Sequence, residues 1–169
     1  MALIKSIKGK SPSIGEGTWI AENATLTGSI EVGQSCSIWY QAVIRGDVNH
    51  IRIGDRVNIQ DGAIVHGSTN GPDTVIGNGV SIGHKAIVHG CVIQDNVLVG
   101  MGAIVLDNVV VESESLIAAG AVVVGGTTVE SGFIYAGTPA KKIKKLSPEE
   151  IQRYIYETGA GYVQLKDWQ

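Results

Sequence analysis

The chain has 169 residues, a formal net charge of −3 and a sequence pI near 5.8. That length bounds it to one domain, and the mildly acidic balance gives no reason to propose nucleic acid as a partner. Aromatic residues make up only 5% of the sequence while Gly fills 23 positions, which suits a narrow, turn-rich β structure with little room for rings.

The opening segment MALIKSIKGK lacks the apolar run of a secretory signal. No apolar stretch approaches the 18 or more residues of a membrane span, so no membrane association is expected. Cys36 and Cys91 are too few for a disulfide framework, and a reducing, cytoplasmic location is the expectation.

From Ile14 onward an apolar residue recurs every six positions: Ile14, Ile20, Leu26, Val32, Ile38 and Ile44. The series resumes at Ile53, Ile59 and Val65, then at Ile76, Ile82 and Val88. It finishes as an unbroken run through Ile93, Val99, Val105, Val111, Ile117, Val123, Val129 and Tyr135. All but Leu26 and Tyr135 are Ile or Val. Gly often follows the anchor, as at Gly15, Gly33, Gly54, Gly77, Gly83 and Gly100, and is read as relief at corners needing positive φ. A period of six is neither helical nor simple strand alternation. It matches the hexapeptide class of parallel β-helix, in which three hexads make one triangular coil. β-branched anchors pack well in such a pleated, stacked interior. An all-β solenoid over residues 1–140 is therefore predicted.

The phase breaks in three places. Ile44 to Ile53 is nine residues, which makes Val48–His50 a small insertion. Val65 to Ile76 is eleven, so Gly67–Asp73 (GSTNGPD) is a protruding loop of turn formers. Val88 to Ile93 is five, a one-residue deletion. Irregularities in solenoids map to functional faces, and all three lie near histidines.

Residues 141–169 are expected to form a connector and a C-terminal α-helix packed on the solenoid or on a neighbouring subunit. Lys141–Lys145 (KKIKK) reads as the solvated connector. Ser147 is the N-cap, Pro148 suits the first helical position and Glu150 completes a capping box. Ile151, Tyr154 and Ile155 form one apolar face, and Gly159–Gly161 is expected to end the helix at about Thr158.

Assigning anchors in threes to the sides of the triangle sorts the polar residues into columns. Arg45, His66 and His89 each follow an anchor by one and share a side. Tyr40, Asp61 and His84 each follow an anchor by two and share another. Parallel strands lie about 4.8 Å apart, so His66 and His89 can converge on one ion. His84 belongs to a different corner and joins that ion most easily from an adjacent subunit. Three imidazoles leave one coordination position open, the pattern of a catalytic metal. Zinc is the first expectation, with iron or cobalt served by the same ligands. Arg45 and Asp61 would face each other across the interface as a salt bridge. Gln60 would hydrogen-bond a metal-bound water, and Asp47 would orient Arg45 or an imidazole. His50 is read as a surface histidine and Cys91 as a buried small hydrophobe.

The segments IRGDVNHIRIG (44–54), NIQDGAIVHG (58–67) and IGHKAIVHGC (82–91) resemble the signature of the γ-class carbonic anhydrase family. The resemblance covers essentially the whole chain. It implies a left-handed coil, a homotrimer with metal sites at its interfaces, and His66, His84 and His89 as the ligands. Arg45, Asp47, Gln60 and Asp61 match family positions, and Tyr135 in YAGTPAKK resembles the family's active-site tyrosine. The implied chemistry is attack of metal-generated hydroxide on carbon dioxide to give bicarbonate. The chain departs from one branch of the family in its loop: GSTNGPD holds only Asp73, and Val48 follows Asp47, so a dedicated carboxylate proton shuttle is missing from those positions. Two alternatives stay open beside carbon dioxide hydration. One is an acyl-CoA thioesterase or CoA-dependent acyltransferase; the other is a non-catalytic trimeric scaffold that keeps the metal.

Overall fold

The computed structural model describes all residues from Met1 to Gln169. It is a left-handed parallel β-solenoid of about seven turns, closed by a helix at the C-terminal end. Most strands have two or three residues, alternate with turns and pair in parallel with the one a full coil later.

The hexad anchors line up in register on three faces. On the first face Leu26 pairs with Ile44, Ile44 with Val65, Val65 with Val88, Val88 with Val105 and Val105 with Val123. The second stacks Val32, Ile53, Ile76, Ile93, Val111 and Val129. The third stacks Ile20, Ile38, Ile59, Ile82, Val99, Ile117 and Tyr135. These columns meet inside the prism as one continuous core. Each fully buried Ile or Val there stabilises the fold by about 1.5–3 kcal/mol.

The glycines after the anchors serve a different purpose from the one expected. Positive φ falls three residues after the anchor, as at Arg56, Lys85, Asn96, Asn108 and Glu114. The glycine directly after the anchor is required by close stacking instead. A Cβ on Gly54 would lie 2.9 Å from the Gly77 carbonyl carbon, and one on Gly83 would lie 2.7 Å from the Met101 nitrogen.

The insertion at Val48–His50 does not interrupt its strand. Val43–Ile53 runs unbroken around a corner, and its extra residues appear as a register shift against Thr25–Val32, between Gly28 and Ile30. The 67–73 loop is fastened to it. The Asn49 side-chain amide donates to the carbonyls of Gly71 and Pro72, both at 2.8 Å, and the His50 backbone N–H donates to Asp73 at 3.1 Å.

Two expectations for the C-terminal region change. Lys141–Lys145 is no irregular connector: Ala140–Lys145 is a strand that returns antiparallel on Phe133–Gly137 and covers the last coil. Its lysines are exposed, with Lys142 paired to Glu130 and Lys144 to Glu150. The helix starts as predicted, with a complete capping box between Ser147 and Glu150. It does not stop at Gly159–Gly161. After a π-helical segment at Gln152–Tyr156 it continues as α-helix over Glu157–Leu165. Its contacts explain the continuation. Ile155 is buried, Tyr156 donates to Glu114 at 2.6 Å, Tyr162 meets Trp39 edge-on at 5.4 Å, and Lys166 donates to the Gly17 carbonyl at 2.6 Å. Tertiary packing along the solenoid outweighs the low helix propensity of the two glycines.

Candidate metal centre

His66 and His89 are directly paired in register on neighbouring strands, Ile64–His66 and Ile87–His89. His66 Nδ1 and His89 Nε2 face each other at 3.2 Å. Carboxylates hold the far side of each ring. His66 Nε2 is 3.0 Å from Asp47 Oδ1, and His89 Nδ1 is 2.5 Å from Asp107 Oδ1. A carboxylate accepts a hydrogen bond from the N–H it touches, so in the neutral rings the two facing nitrogens both carry lone pairs. Two lone pairs at this distance call for a cation between them. A tetrahedral ion bound at 2.0–2.1 Å holds two ligand nitrogens roughly 3.3 Å apart, so this pair fits a zinc-like ion.

His84 stands on the third face, separate from this pair, as the phase required. Its Nδ1 lies 2.9 Å from Asp61 Oδ2, while its Nε2 points to a cavity bordered by Gln60, Met101 and Tyr162. The Tyr162 hydroxyl is 3.4 Å from that nitrogen. Each of the three histidines thus has one carboxylate on one ring nitrogen; the other nitrogens of His66 and His89 face each other, and that of His84 lies beside the Tyr162 hydroxyl. No group of three potential metal-binding side chains converges within a single chain.

Arg45 binds Asp47 through Nη1, and its Nη2 lies 3.4 Å from His66 Nδ1. Asp47 therefore supports both the guanidinium and the imidazole. Within the chain Asp61 is paired with His84, not with Arg45. Partial burial raises the Asp47 pKa, but hydrogen bonds from His66 and Arg45 outweigh it and hold the carboxyl below its ordinary value. Asp107 is lowered too, by the Ser68 hydroxyl first and by His89 against the cost of burial.

Gln60 is buried, and its amide is mostly committed. Its carbonyl accepts from the His84 backbone N–H at 3.1 Å, and its nitrogen donates to Asn58 at 2.9 Å. One amide hydrogen remains for a ligand. Tyr135 is not brought to the histidines. It is an anchor of the last coil, 6% exposed, with its hydroxyl 3.4 Å from the Thr128 carbonyl. Its place in the hexad phase sends the ring inward, so the role suggested by its motif does not fit. His50 is half-buried, 2.9 Å from the Ser29 hydroxyl, rather than a free surface group. Cys91 is buried, and burial pushes its thiol up to about 12, consistent with a small hydrophobe and not a ligand.

Three residues here went unnoticed in the sequence: Asp107, Ser68 and Tyr162. Asp107 follows its anchor Val105 by two, so the column argument that grouped the histidines could have found it.

The model for bacterial transferase hexapeptide repeats (six repeats) matches residues 90–125. The carbonic anhydrase of Geobacillus kaustophilus is 42% identical over 97% of this chain and 93% of its own length. The chain belongs to the γ-class carbonic anhydrase family. The mitochondrial gamma carbonic anhydrase 2 of Arabidopsis thaliana is 41% identical over 92% of this chain, which spans 58% of that relative's length. Among solved structures, a hexapeptide transferase family protein from Anaplasma phagocytophilum superposes with a TM-score of 0.93, at 41% identity over 98% of this chain and 96% of that one. The likeness to that solved structure therefore extends from the first coil to the helix.

Proposed function

We propose that the protein is a metal-dependent hydratase that converts carbon dioxide to bicarbonate. It works as a homotrimer, with each metal held by His66 and His89 of one copy and His84 of the next. The observation that carries this reading is the 3.2 Å approach of two imidazole nitrogens whose far sides are both held by carboxylates. Zinc suits the donor set, and iron or cobalt would be held by the same imidazoles.

When bound, the metal supplies Lewis-acid activation of water, bringing its pKa toward about 7. The chain's own residues prepare the site for that chemistry. Asp47, Asp107 and Asp61 keep protons on the far nitrogens of His66, His89 and His84, so the near nitrogens present lone pairs. The remaining amide hydrogen of Gln60 is available to orient the nucleophile beside His84. The Arg45 guanidinium, next to His66, favours the anionic product. The 67–73 loop supplies one carboxylate, Asp73, and this is engaged by the His50 backbone. Proton release therefore passes to solvent buffer. The two buried free cysteines suit a reducing, cytoplasmic compartment.

Metal analysis of the purified protein, joined to stopped-flow carbon dioxide hydration before and after chelation, tests the reading. Hydration that chelation abolishes and metal restores is the expected result. A metal-loaded protein that cleaves acyl-CoA thioesters but leaves carbon dioxide untouched would favour the acyl-CoA reading. A metal-loaded protein inert to both would favour a scaffold.

A further inference from the structure

We infer that the 67–73 loop is a clasp that sets metal affinity through Ser68 and Asp107, in place of the proton-relay task that its acid-poor sequence cannot perform. The inference rests on the metal-site reading above and adds positioning residues to it.

The geometry forms a chain of contacts from the insertion to the ligand. Asn49 grips the distal half of the loop through the Gly71 and Pro72 carbonyls. At the loop's start Ser68 donates its hydroxyl to Asp107 Oδ2 at 2.5 Å, across 39 positions of sequence. The other oxygen, Asp107 Oδ1, meets His89 Nδ1. Thr74, just past the loop, donates to the His66 carbonyl at 2.8 Å and accepts from the Gly90 N–H at 3.1 Å. The loop thus braces both histidine-bearing strands.

Chemistry gives this arrangement a purpose. An aspartate with only one oxygen engaged can rotate about its last bond and release the imidazole. With Ser68 on the second oxygen the carboxylate is fixed, and with it the tautomer and tilt of His89. Such partners behind a ligating histidine change metal affinity by about 10–100-fold when removed. Two of the three phase breaks in the hexad pattern therefore serve one ligand: the 48–50 insertion anchors the loop, and the loop anchors Asp107. Neither Ser68 nor Asp107 need contact substrate.

The test is cobalt(II) binding by the full-length protein, measured by competition with a chelator and by the visible absorption of the bound ion. Asp107→Asn should weaken affinity about 10–100-fold and alter the visible spectrum. Ser68→Ala should cause a smaller loss in the same direction, and Ser68→Thr, which keeps the hydroxyl, should restore it. Combining Ser68→Ala with Asp107→Asn should add little to Asp107→Asn alone, because both act along one path. Wild-type affinity and spectrum in both single variants would overturn the inference while leaving the metal site standing. A loss in Ser68→Ala that Ser68→Thr does not rescue would assign the loop a structural part only and also overturn it. Absence of cobalt binding by the unaltered protein would instead sink the metal-site reading itself. Circular-dichroism melts identify any variant that has lost its fold, and the Ser68→Ala and Ser68→Thr pair keeps the question answerable if Asp107→Asn does not fold.

Discussion

The coils from Ile93 to Tyr135 and those from Ile44 to Cys91 are made from the same repeat, but only the second group is interrupted. In the regular coils the anchors keep phase without exception, and their outward polar residues mostly support one another, as Gln94 accepts from Ser113 and Glu112 from Ser131. The irregular coils carry all four histidines, the inserted strand residues and the long loop. The regular hexad serves chiefly stability, with Asp107 aimed back at His89. Departures from it supply the extra backbone that lets Asn49 hold the 67–73 loop and brings Ser68 to Asp107 behind His89.

The largest effect should come from the irregular half. His84→Ala is expected to abolish metal binding while moving Tm by less than about 4 °C, which is what ~1 kcal/mol is worth at this size. Elemental analysis beside a thermal melt reads both. In the regular half the effects should reverse. Ile117→Ala should cost about 2–5 kcal/mol in denaturant unfolding, because it empties a fully buried site. Metal per folded chain should stay unchanged. Gly100→Ala should cost about 1–3 kcal/mol, since a Cβ there meets the Ala118 and Ala119 backbone. Asp107, which touches His89, is the regular-half residue expected to affect metal; an anchor or corner-glycine variant of that half that loses metal without losing stability would break the division.

Smaller effects sharpen it. Hydration should rise steeply with the concentration of external buffer, because the loop's lone carboxylate is engaged; a rate indifferent to buffer would point to an internal proton carrier. Ser147→Ala should cost about 1 kcal/mol by removing the helix cap. Hydrogen exchange should show the helix fraying while the coils stay protected. The pH dependence of that cap has a definite sign. Lys144 and the Ser147 N–H hold Glu150 below its ordinary value of 4.5. Its contribution is therefore full above pH 4.5 and fades as pH falls through the lowered value. Acid melts of the parent and of Glu150→Gln should converge at low pH.

Much of this was legible in the sequence, for reasons tied to particular residues. The hexad anchors predicted the three stacked faces because Ile and Val at a fixed period leave one way to bury them. The same phase placed His66 beside His89 and sent His84 to another face. It also contained the answer for Tyr135, whose anchor position outranks its motif. The helix end was hidden because Gly159–Gly161 is helical only where Tyr162, Lys166 and the solenoid hold it, a tertiary contact that propensity does not encode. The returning strand at Ala140–Lys145 was hidden because its exposed lysines lack alternation. Ser68 and Asp107 meet across 39 positions, and only the fold of the loop joins them.

The central claim is that the metal site is completed only between copies of the chain. Mixing tests it most directly. His84→Ala protein and His66→Ala/His89→Ala protein, each metal-free alone, are dissociated together and reassembled in equal amounts. Every mixed trimer then holds one intact set of ligands, so the pool should bind about a quarter of the metal of the unaltered protein. Mixed trimers that bind none would contradict an intersubunit site, because ligands confined to one chain cannot be restored by a neighbour.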